Sequence, residues 1–390
     1  MERNEANPTP SVLVWARESA GLSIELSAKK AGVQPGRLAA WESGLQRPSF
    51  AQLRKLASIY KRPLAVFYLE APPVRFQAMH DFRRIAESGL VDQSPELTLE
   101  IRRAYDRREW AIELFQSIEE EIPQVSASLS LDDNPEDAAS EVRKMLRVSL
   151  DQQQNWRTQY EAFRGWRLLI ESAGVLTFQA TGVDLSEARG FSISARPLPV
   201  AVANIKDAPR GRIFTLLHEL AHILLSDGGI CDLHEFGGGD SSRIEAYCNR
   251  VAGATLFPAS AVMNSAALRQ HRKGDFTWTD DELAALSRQF GGSREAALVR
   301  LLALGLTTQR FYDRKRDEFL KLYAQRREKQ KDGFAPPHEV ALSSAGPTFT
   351  NLVLESFNRE RITASDVSDY LQIRLRHLSE IQRDYMKLTA

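Results

Sequence analysis

The segment LLHELAHILL, residues 216–225, is apolar except for two histidines and one glutamate. Side chains four residues apart lie on one face of an α-helix, so His218 and His222 can direct their imidazoles at one point. Glu219 lies about 100° further around the helix axis and can approach that point without acting as a ligand. This spacing predicts a divalent-metal site in which Glu219 is the general base of a hydrolysis.

A catalytic zinc ion needs a third protein ligand and one position open to water. The extended motif HExxHxxGxxH is excluded, because Leu225 and Gly228 stand where it requires glycine and histidine. The segment RIEAYCNRVAGATLF predicts a second buried helix whose apolar face carries one acidic residue, Glu245. Glu245 is the candidate third ligand, and Asn249, one turn further on, is predicted to hydrogen-bond a ligand histidine and fix its tautomer. The alternatives for the third ligand lie in the preceding glycine-rich loop: Cys231, Asp232 and His234.

Burial of the two histidines against ordinary backbone partners is the competing interpretation of the motif. A buried polar group without a partner costs about 1–3 kcal/mol, and a single ion would satisfy both imidazoles. We therefore predict one divalent metal ion per chain, zinc in the first place and manganese as the alternative. Such an ion polarises a scissile carbonyl and acidifies water, and Glu219 would carry the water's proton to the leaving amine.

The stretch RIFTLLHELAHILL, followed by IEAYCNRVAGATLFP, resembles the ImmA/IrrE family of zinc-type metallopeptidases. That family pairs HExxH with a later glutamate, in a helix that carries an E…N-x-x-A pattern and ends at Leu-x-Pro. The upstream LIESAGVLTFQ, RGFSIS and PVAVAN are similar to the strands of the same domain. The resemblance implies Glu245 as the third ligand and proteolysis of a bacterial regulator. Two residues before Asn249, where the family often has a carboxylate, this chain has Tyr247.

Residues 10–70 predict five short helices joined by tight turns, with Gly32 and Gly44 as helix stops and Ser23 and Ser49 as N-caps. The segment LSIELSAKKAGVQPGRLAAWESGLQRPSFAQLRKLA resembles the helix-turn-helix domain of the XRE, or Cro/repressor, type. Residues 11–75 contain ten Lys/Arg and four Asp/Glu, a net charge of +6. Such local positive charge favours contact with phosphates.

The resemblance implies that a recognition helix starting near Gln34 enters the major groove of an operator or promoter. Glutamine can read adenine and arginine can read guanine there. The sequence departs from the family at Ile24, where a glutamine commonly clamps a phosphate. A domain that serves only dimerisation or protein contact is the alternative. The residues predicted to contact DNA are Lys29, Gln34, Gly36, Arg37 and Ala40.

Composition limits the remaining classes of protein. Hydrophobic residues make up 43% of the 390 residues, the formal net charge is zero and there are two cysteines. Two cysteines exclude a disulfide framework and are typical of a reducing compartment. No apolar run reaches the roughly 18 residues of a membrane-spanning helix, so we expect a cytoplasmic protein with no membrane partner.

The order of helical and strand patterns predicts a multidomain, mainly α protein. An all-α helix-turn-helix domain is followed by an α+β zincin-like metallopeptidase domain with a small sheet and by a helical C-terminal region. A long helix at 95–122 is a hypothetical dimer element, which makes a homodimer one expected state. The predicted segments are 1–72 for the DNA-binding domain, 73–155 for a helical connector, 156–305 for the metallopeptidase domain and 306–390 for the C-terminal helices.

Two functions are consistent with these patterns. The first is a DNA-binding transcriptional regulator fused to a zinc-type metallo-endopeptidase that cleaves a bacterial repressor or related regulatory protein. The second is an antitoxin-like or purely DNA- and protein-binding regulator, whose metallopeptidase fold binds a partner such as a toxin without turnover. The intact HExxH motif together with Glu245 favours the first.

Overall fold

The computed structural model describes residues 5–73, 94–225, 239–329 and 336–389. The chain divides into two compact units. The first is formed by residues 1–103 and 182–187, and the second by residues 104–181 and 188–390. The four domain ranges expected from the sequence stay predictions.

The first unit begins with four short α-helices and one short 3₁₀-helix. Their bounds are α1 Pro10–Glu18, α2 Ile24–Ala31, α3 Pro35–Glu42, α4 Phe50–Ile59 and the 3₁₀-helix Leu64–Tyr68. The hydroxyl of Ser23 accepts a hydrogen bond from the backbone of Leu26 at the start of α2. Ser49 and Gln52 form a capping box at the start of α4. Gly32 ends α2 with φ 71°, a left-handed conformation that glycine adopts without steric cost.

The core of this helical bundle is built from buried apolar side chains, among them Leu38 and Trp41 of α3. An ion pair joins two of its helices, since Nε of Arg17 in α1 donates to Oε1 of Glu42 in α3 at 2.8 Å. Both side chains are shielded, with 11% and 6% exposed. A paired, hydrogen-bonded charge of this kind fixes one geometry between the helices. The predicted all-α helix-turn-helix unit is confirmed.

A long helix, α5 (Pro95–Ser117), follows. It ends at Ser117 and not at the predicted Ile122. Glu119 adopts a left-handed φ of 59°, and the N–H of Glu120 donates to the carbonyl of Phe115 at 3.0 Å. A backbone hydrogen bond that spans six residues and encloses a left-handed residue is typical of a helix C-terminus. The helix therefore ends at Ser117, although the apolar pattern in the sequence continues beyond it.

The second unit combines helices with one three-stranded sheet. The strands are β1 Leu176–Ala180, β2 Gly190–Ile193 and β3 Val200–Asn204. The helices before the sheet are α6 Pro135–Met145, α7 Leu150–Asn155 and α8 Gln159–Ser172. Those after it are α9 Pro209–Leu225, α10 Gly239–Leu256, α11 Ala259–Met263, α12 Ala266–Gln270, α13 Asp280–Phe290, α14 Arg294–Ala303, α15 Gln309–Lys329, α16 Pro337–Ala345, α17 Pro347–Asn358, α18 Ala364–Leu371, a 3₁₀-helix Leu375–His377 and α19 Leu378–Thr389. No helix within the described ranges has the length and apolarity that a membrane span requires.

The sheet has the order β1-β3-β2. β1 runs parallel to β3, with Leu176 opposite Val200, and β2 runs antiparallel to β3, with Gly190 opposite Ala203. Every residue of β1 and β3 is buried. Residues 200–203 of β3 are an apolar run, as is typical of a strand covered on both faces, whereas β1 alternates apolar residues with the buried polar residues Thr177 and Gln179. The three short strands and the mainly helical fold predicted from the sequence are confirmed.

The helix with the two histidines, α9, lies in the interior of the second unit. It packs against α8, α10 and the strands β2 and β3. Leu216, Leu220 and Ile223 are fully buried. A helix covered on most sides is apolar all round, so its polar side chains need specific partners.

The C-terminal helices pack on the same sheet. Nε2 of Gln179 in β1 donates to the carbonyl of Ser343 in α16 at 2.5 Å and to its hydroxyl at 2.7 Å. Nη1 of Arg167 in α8 donates to the same carbonyl at 2.9 Å. Because buried polar groups need such partners, these bonds fix α16 on the edge formed by β1.

Candidate metal centre

Two imidazoles of α9 face one another. The Nε2 atoms of His218 and His222 lie 3.1 Å apart, and their ring centroids lie 4.7 Å apart at an interplanar angle of 71°. The two side chains are only 15% and 13% exposed. Two neutral rings in this position can form at most one hydrogen bond between their Nε2 atoms. A cation, by contrast, can be bound by both nitrogens at once and by further acceptor atoms nearby.

Helix α10 supplies the third group. Oε2 of Glu245 lies 3.3 Å from Nε2 of His218, and Oε1 lies 3.1 Å from Nε2 of His222. Hydrogen bonds from both histidines hold the pKa of Glu245 far below its ordinary range, which keeps the carboxylate ionised. Half of the Glu245 side chain is exposed, so the cluster is open to solvent on that side.

This donor set fits a divalent ion such as zinc. Zinc binds histidine nitrogen and carboxylate oxygen at about 2.0–2.2 Å in a four-coordinate site, and ligand atoms at tetrahedral angles then stand roughly 3.4 Å apart. The three donor atoms have nearly that spacing, and the half-exposed side of Glu245 leaves room for a fourth ligand. The competing third ligands, Cys231, Asp232 and His234, lie outside the described residues.

Glu219 lies beside the cluster and is not one of the three grouped ligands. Only 6% of the residue is exposed, and Ser192 of β2 hydrogen-bonds its carboxylate. Burial raises the pKa of Glu219, while the neighbouring His218 and His222 act in the opposite direction. A carboxyl group whose pKa is raised above its ordinary value is better suited to taking up and releasing a proton.

Strand β2 comes close to α9 at Gly190. A Cβ atom there would lie 2.5 Å from the carbonyl oxygen of Val202 and 3.3 Å from Oε1 of Glu219, and it would overlap Cγ2 of Thr215. Only glycine allows this approach, which brings Ser192, two residues further on, to Glu219. Neither residue was predicted from the sequence, although the glycine that opens GFSIS was an available signal.

The other residues of α10 have different surroundings. Asn249 is exposed, and no hydrogen bond between it and a histidine occurs in the described part of the chain, so its role in fixing a tautomer stays a prediction. Cys248 is fully buried, and it contacts His222 by a hydrogen bond that the sequence analysis did not anticipate. Burial raises the pKa of the Cys248 thiol and raises that of Tyr247 to about 12.

The residues predicted to contact DNA lie near the end of α2, at the start of α3 and, for Ala40, in the second half of α3. Gln34 is the N-cap of α3, and it is exposed together with Lys29, Gly36 and Arg37, whereas Ala40 is half-buried. The guanidinium of Arg37 lies 5.7 Å from the centroid of the Trp41 ring. The structure therefore places Gln34, Gly36 and Arg37 together at the exposed start of α3, and the contacts of all five residues with DNA stay predictions.

A buried HExxH helix beside a small mixed sheet, with a glutamate from the next helix, is the arrangement of a metallopeptidase-like domain. Residues 171–302 match the model of the peptidase M78 family, described as an IrrE N-terminal-like domain. Residues 13–67 match a helix-turn-helix family model. The chain thus joins a helix-turn-helix domain to an IrrE N-terminal-like domain, as the resemblance implied. No curated protein matches it.

Metal content provides the first prediction. We expect wild-type protein to hold one equivalent of zinc at this centre, and His218→Ala and Glu245→Ala to weaken its binding by more than the roughly 10- to 100-fold caused by losing an outer-shell partner. Elemental analysis and chelator competition on full-length protein measure this. Asn249→Ala, with its smaller expected effect, is the comparison variant. Full occupancy in Glu245→Ala would move the third ligand to the loop that contains Cys231, Asp232 and His234.

The second prediction concerns Gly190. Gly190→Ala should lower the free energy of unfolding by about 1–3 kcal/mol, because the added methyl overpacks the contact between β2 and α9. Gly253→Ala in α10 is the matched control, since a Cβ there meets nothing within 4 Å, and it should be neutral or stabilising by up to about 1 kcal/mol. Urea unfolding of both variants checks the pair, and equal stabilities would contradict the close approach.

Proposed function

We propose that this protein is a DNA-binding transcriptional regulator whose metallopeptidase domain cleaves a bacterial repressor or a related regulatory protein. The proposal rests on the convergence of His218, His222 and Glu245 on one point, with Glu219 buried beside them. The matches to an IrrE N-terminal-like domain and to a helix-turn-helix domain support a regulator joined to a peptidase-like domain.

Zinc is the proposed ion, with manganese as the alternative. His218, His222 and Glu245 would hold it, and when bound it supplies the Lewis acidity that polarises a peptide carbonyl and acidifies water. The two histidines are mostly buried, whereas Glu245 is half-exposed. A peptide substrate therefore approaches from the side of Glu245.

Glu219 carries out the proton transfers in this proposal. Its carboxylate accepts a proton from the attacking water and releases it to the leaving amide nitrogen, so that the enzyme is unchanged after hydrolysis. Burial favours the protonated form, and the neighbouring histidines favour the ionised form. The hydrogen bond from Ser192 keeps the carboxylate directed at the cluster.

The helix-turn-helix domain is proposed to bring the chain to an operator or promoter. Gln34 and Arg37 are exposed at the start of α3, where recognition helices meet base edges. Lys29 is exposed at the end of α2 and is proposed to contact a phosphate. Ile24 packs against the core of the domain and cannot supply the phosphate contact of a glutamine, so we expect modest affinity.

The third prediction tests the peptidase. Glu219→Gln should keep the metal and the fold but lower the cleavage rate by about 10²–10⁴-fold, because an amide has the shape of the carboxylate and is a poor base. The assay uses full-length protein and purified proteins encoded beside its gene, with cleavage followed by mass spectrometry.

Glu245→Gln is the matched control, because it should lose both metal and cleavage. An unchanged rate in Glu219→Gln would remove the base role. Tight binding of a neighbouring protein by metal-loaded wild type, with no cleavage, would replace the peptidase by the antitoxin-like binding function.

The fourth prediction concerns DNA. Arg37→Ala should relax the preference for one base pair by about 1–3 kcal/mol, and Lys29→Ala should weaken binding to all sequences alike and reduce the salt slope by about one. Titrations of the promoter of its own gene at roughly 50–200 mM salt measure both. Lys321→Ala, an exposed lysine of the second unit, is the control. Wild-type protein without affinity at low salt would assign the domain to protein contact.

A further inference from the structure

Four of the five histidines in the described ranges belong to two three-residue groups. One group is the peptidase centre. The other consists of His338, His377 and Glu380, which come from the first turn of α16, the 3₁₀-helix before α19 and the first turn of α19. The proposed peptidase function makes no use of this second group.

Glu380 is the common partner in the second group. Its Oε2 lies 2.6 Å from Nδ1 of His377 and 3.3 Å from Nδ1 of His338. The side chains of His338 and His377 are only 14% and 15% exposed, and that of Glu380 is 37% exposed. The hydrogen bond from His377 lowers the pKa of Glu380, so the carboxylate carries its charge. Two imidazole nitrogens are thus directed at one ionised oxygen.

His271 illustrates the ordinary structural use of a histidine in the same unit. Its Nδ1 lies 2.8 Å from Glu282, its Nε2 lies 2.9 Å from the carbonyl of Asp275, and its ring stacks on Trp278 at 3.8 Å. It contacts one carboxylate and belongs to no three-ligand group in the described part of the chain. The second group differs because two imidazoles from separate elements meet at a single carboxylate.

We propose that His338, His377 and Glu380 form a second zinc site, which ties α16 to α19. Two imidazole nitrogens and one carboxylate oxygen are ligands that zinc prefers, with water as the fourth. Ligand atoms of such a site stand roughly 3.4 Å apart. The pair His338–Glu380 already has this spacing, and Glu380 must withdraw from His377 by about 1 Å.

Arg376 competes with the ion. Its Nε donates to Nε2 of His377 at 3.1 Å, which requires the proton of the neutral ring to be on Nδ1. Zinc at Nδ1 displaces that proton, so the proton of the ring is then on Nε2 and the bond from Arg376 breaks. Arg376 is exposed and can turn into solvent. Arg376 and Arg383, which interacts electrostatically with Glu380, are both positively charged. Their repulsion of a bound cation lowers its affinity.

The second ion would stabilise the C-terminal helices. His338 opens α16, and Ser343 of the same helix accepts hydrogen bonds from Gln179 of β1. An ion that binds the native arrangement and not the unfolded chain stabilises the native state by mass action. The site therefore holds α16 in place on the sheet and takes no part in hydrolysis.

The experiment uses full-length protein that lacks the peptidase centre, H218A/H222A. Co²⁺ is titrated into it, because the visible absorption of Co²⁺ reports coordination by nitrogen and oxygen, and Zn²⁺ is then added as competitor. We expect one equivalent of Co²⁺, displaced by Zn²⁺, and a higher thermal midpoint with Zn²⁺. Adding either His338→Ala or His377→Ala should abolish that equivalent. In protein with an intact peptidase centre, H338A should reduce the zinc content from two equivalents to one, which provides a second measurement if H218A/H222A does not fold.

H271Q is the matched control and should leave the stoichiometry unchanged. Arg376→Ala should tighten Co²⁺ binding by roughly two- to fivefold, since an exposed charge interaction is removed. No bound equivalent in H218A/H222A, or an equivalent that survives loss of both His338 and His377, overturns the proposal. Because the peptidase centre is absent from the main test, this outcome is separate from that of the cleavage assay.

Discussion

Two imidazoles held inside apolar packing, with a half-exposed carboxylate against them, are the constraint on which the second unit depends. His218 and His222 project from a helix that packs against the sheet, α8 and α10 and whose other side chains are mostly buried. Turning either ring away would leave a polar nitrogen without a partner, at a cost of about 1–3 kcal/mol. Glu245 can approach them only if α10 packs directly on α9. The geometry of the candidate metal centre therefore depends on the packing of these two helices.

The same helix also separates the candidate ligands from the proposed general base. The two histidines share one face of α9, and Glu219 lies about 100° away, where β2 covers it. Gly190 allows the strand to come within reach, and Ser192 then holds the carboxylate. The acid–base properties of Glu219 thus arise from a contact between a helix and a strand. That contact raises its pKa by excluding water, whereas Glu245, half-exposed and hydrogen-bonded to both histidines, has its pKa lowered.

Local patterns predicted those parts of the molecule that depend on neighbouring residues. The HExxH spacing, the N-caps at Ser23 and Ser49 and the three short strands follow from side chains within a few residues of each other. The end of α5 was predicted too late, because a left-handed Glu119 stops the helix while the apolar period continues. The contact of Ser192 with Glu219 is set by tertiary packing, which the pattern of either segment does not encode. Glu245 was a candidate because it is the one acidic residue on the apolar face of its segment, and the resemblance implied it as the third ligand. The structure places it against both histidines.

The two histidine groups differ in how much of their geometry the chain fixes locally. In the first group, one helix presents both imidazoles, so any state that keeps α9 intact keeps two nitrogens near each other, and packing of α10 adds only the carboxylate. In the second group, His338 lies on α16, and only the packing of α16 against α19 brings it to Glu380. His377 and Glu380 are close in sequence and supply two of the proposed metal ligands, but not the third. An ion can therefore gain part of its binding free energy at the first group before the tertiary structure is complete. The binding free energy of an ion at the second group depends on the native packing of the C-terminal helices. Binding of such an ion would therefore report whether α16 is packed on β1.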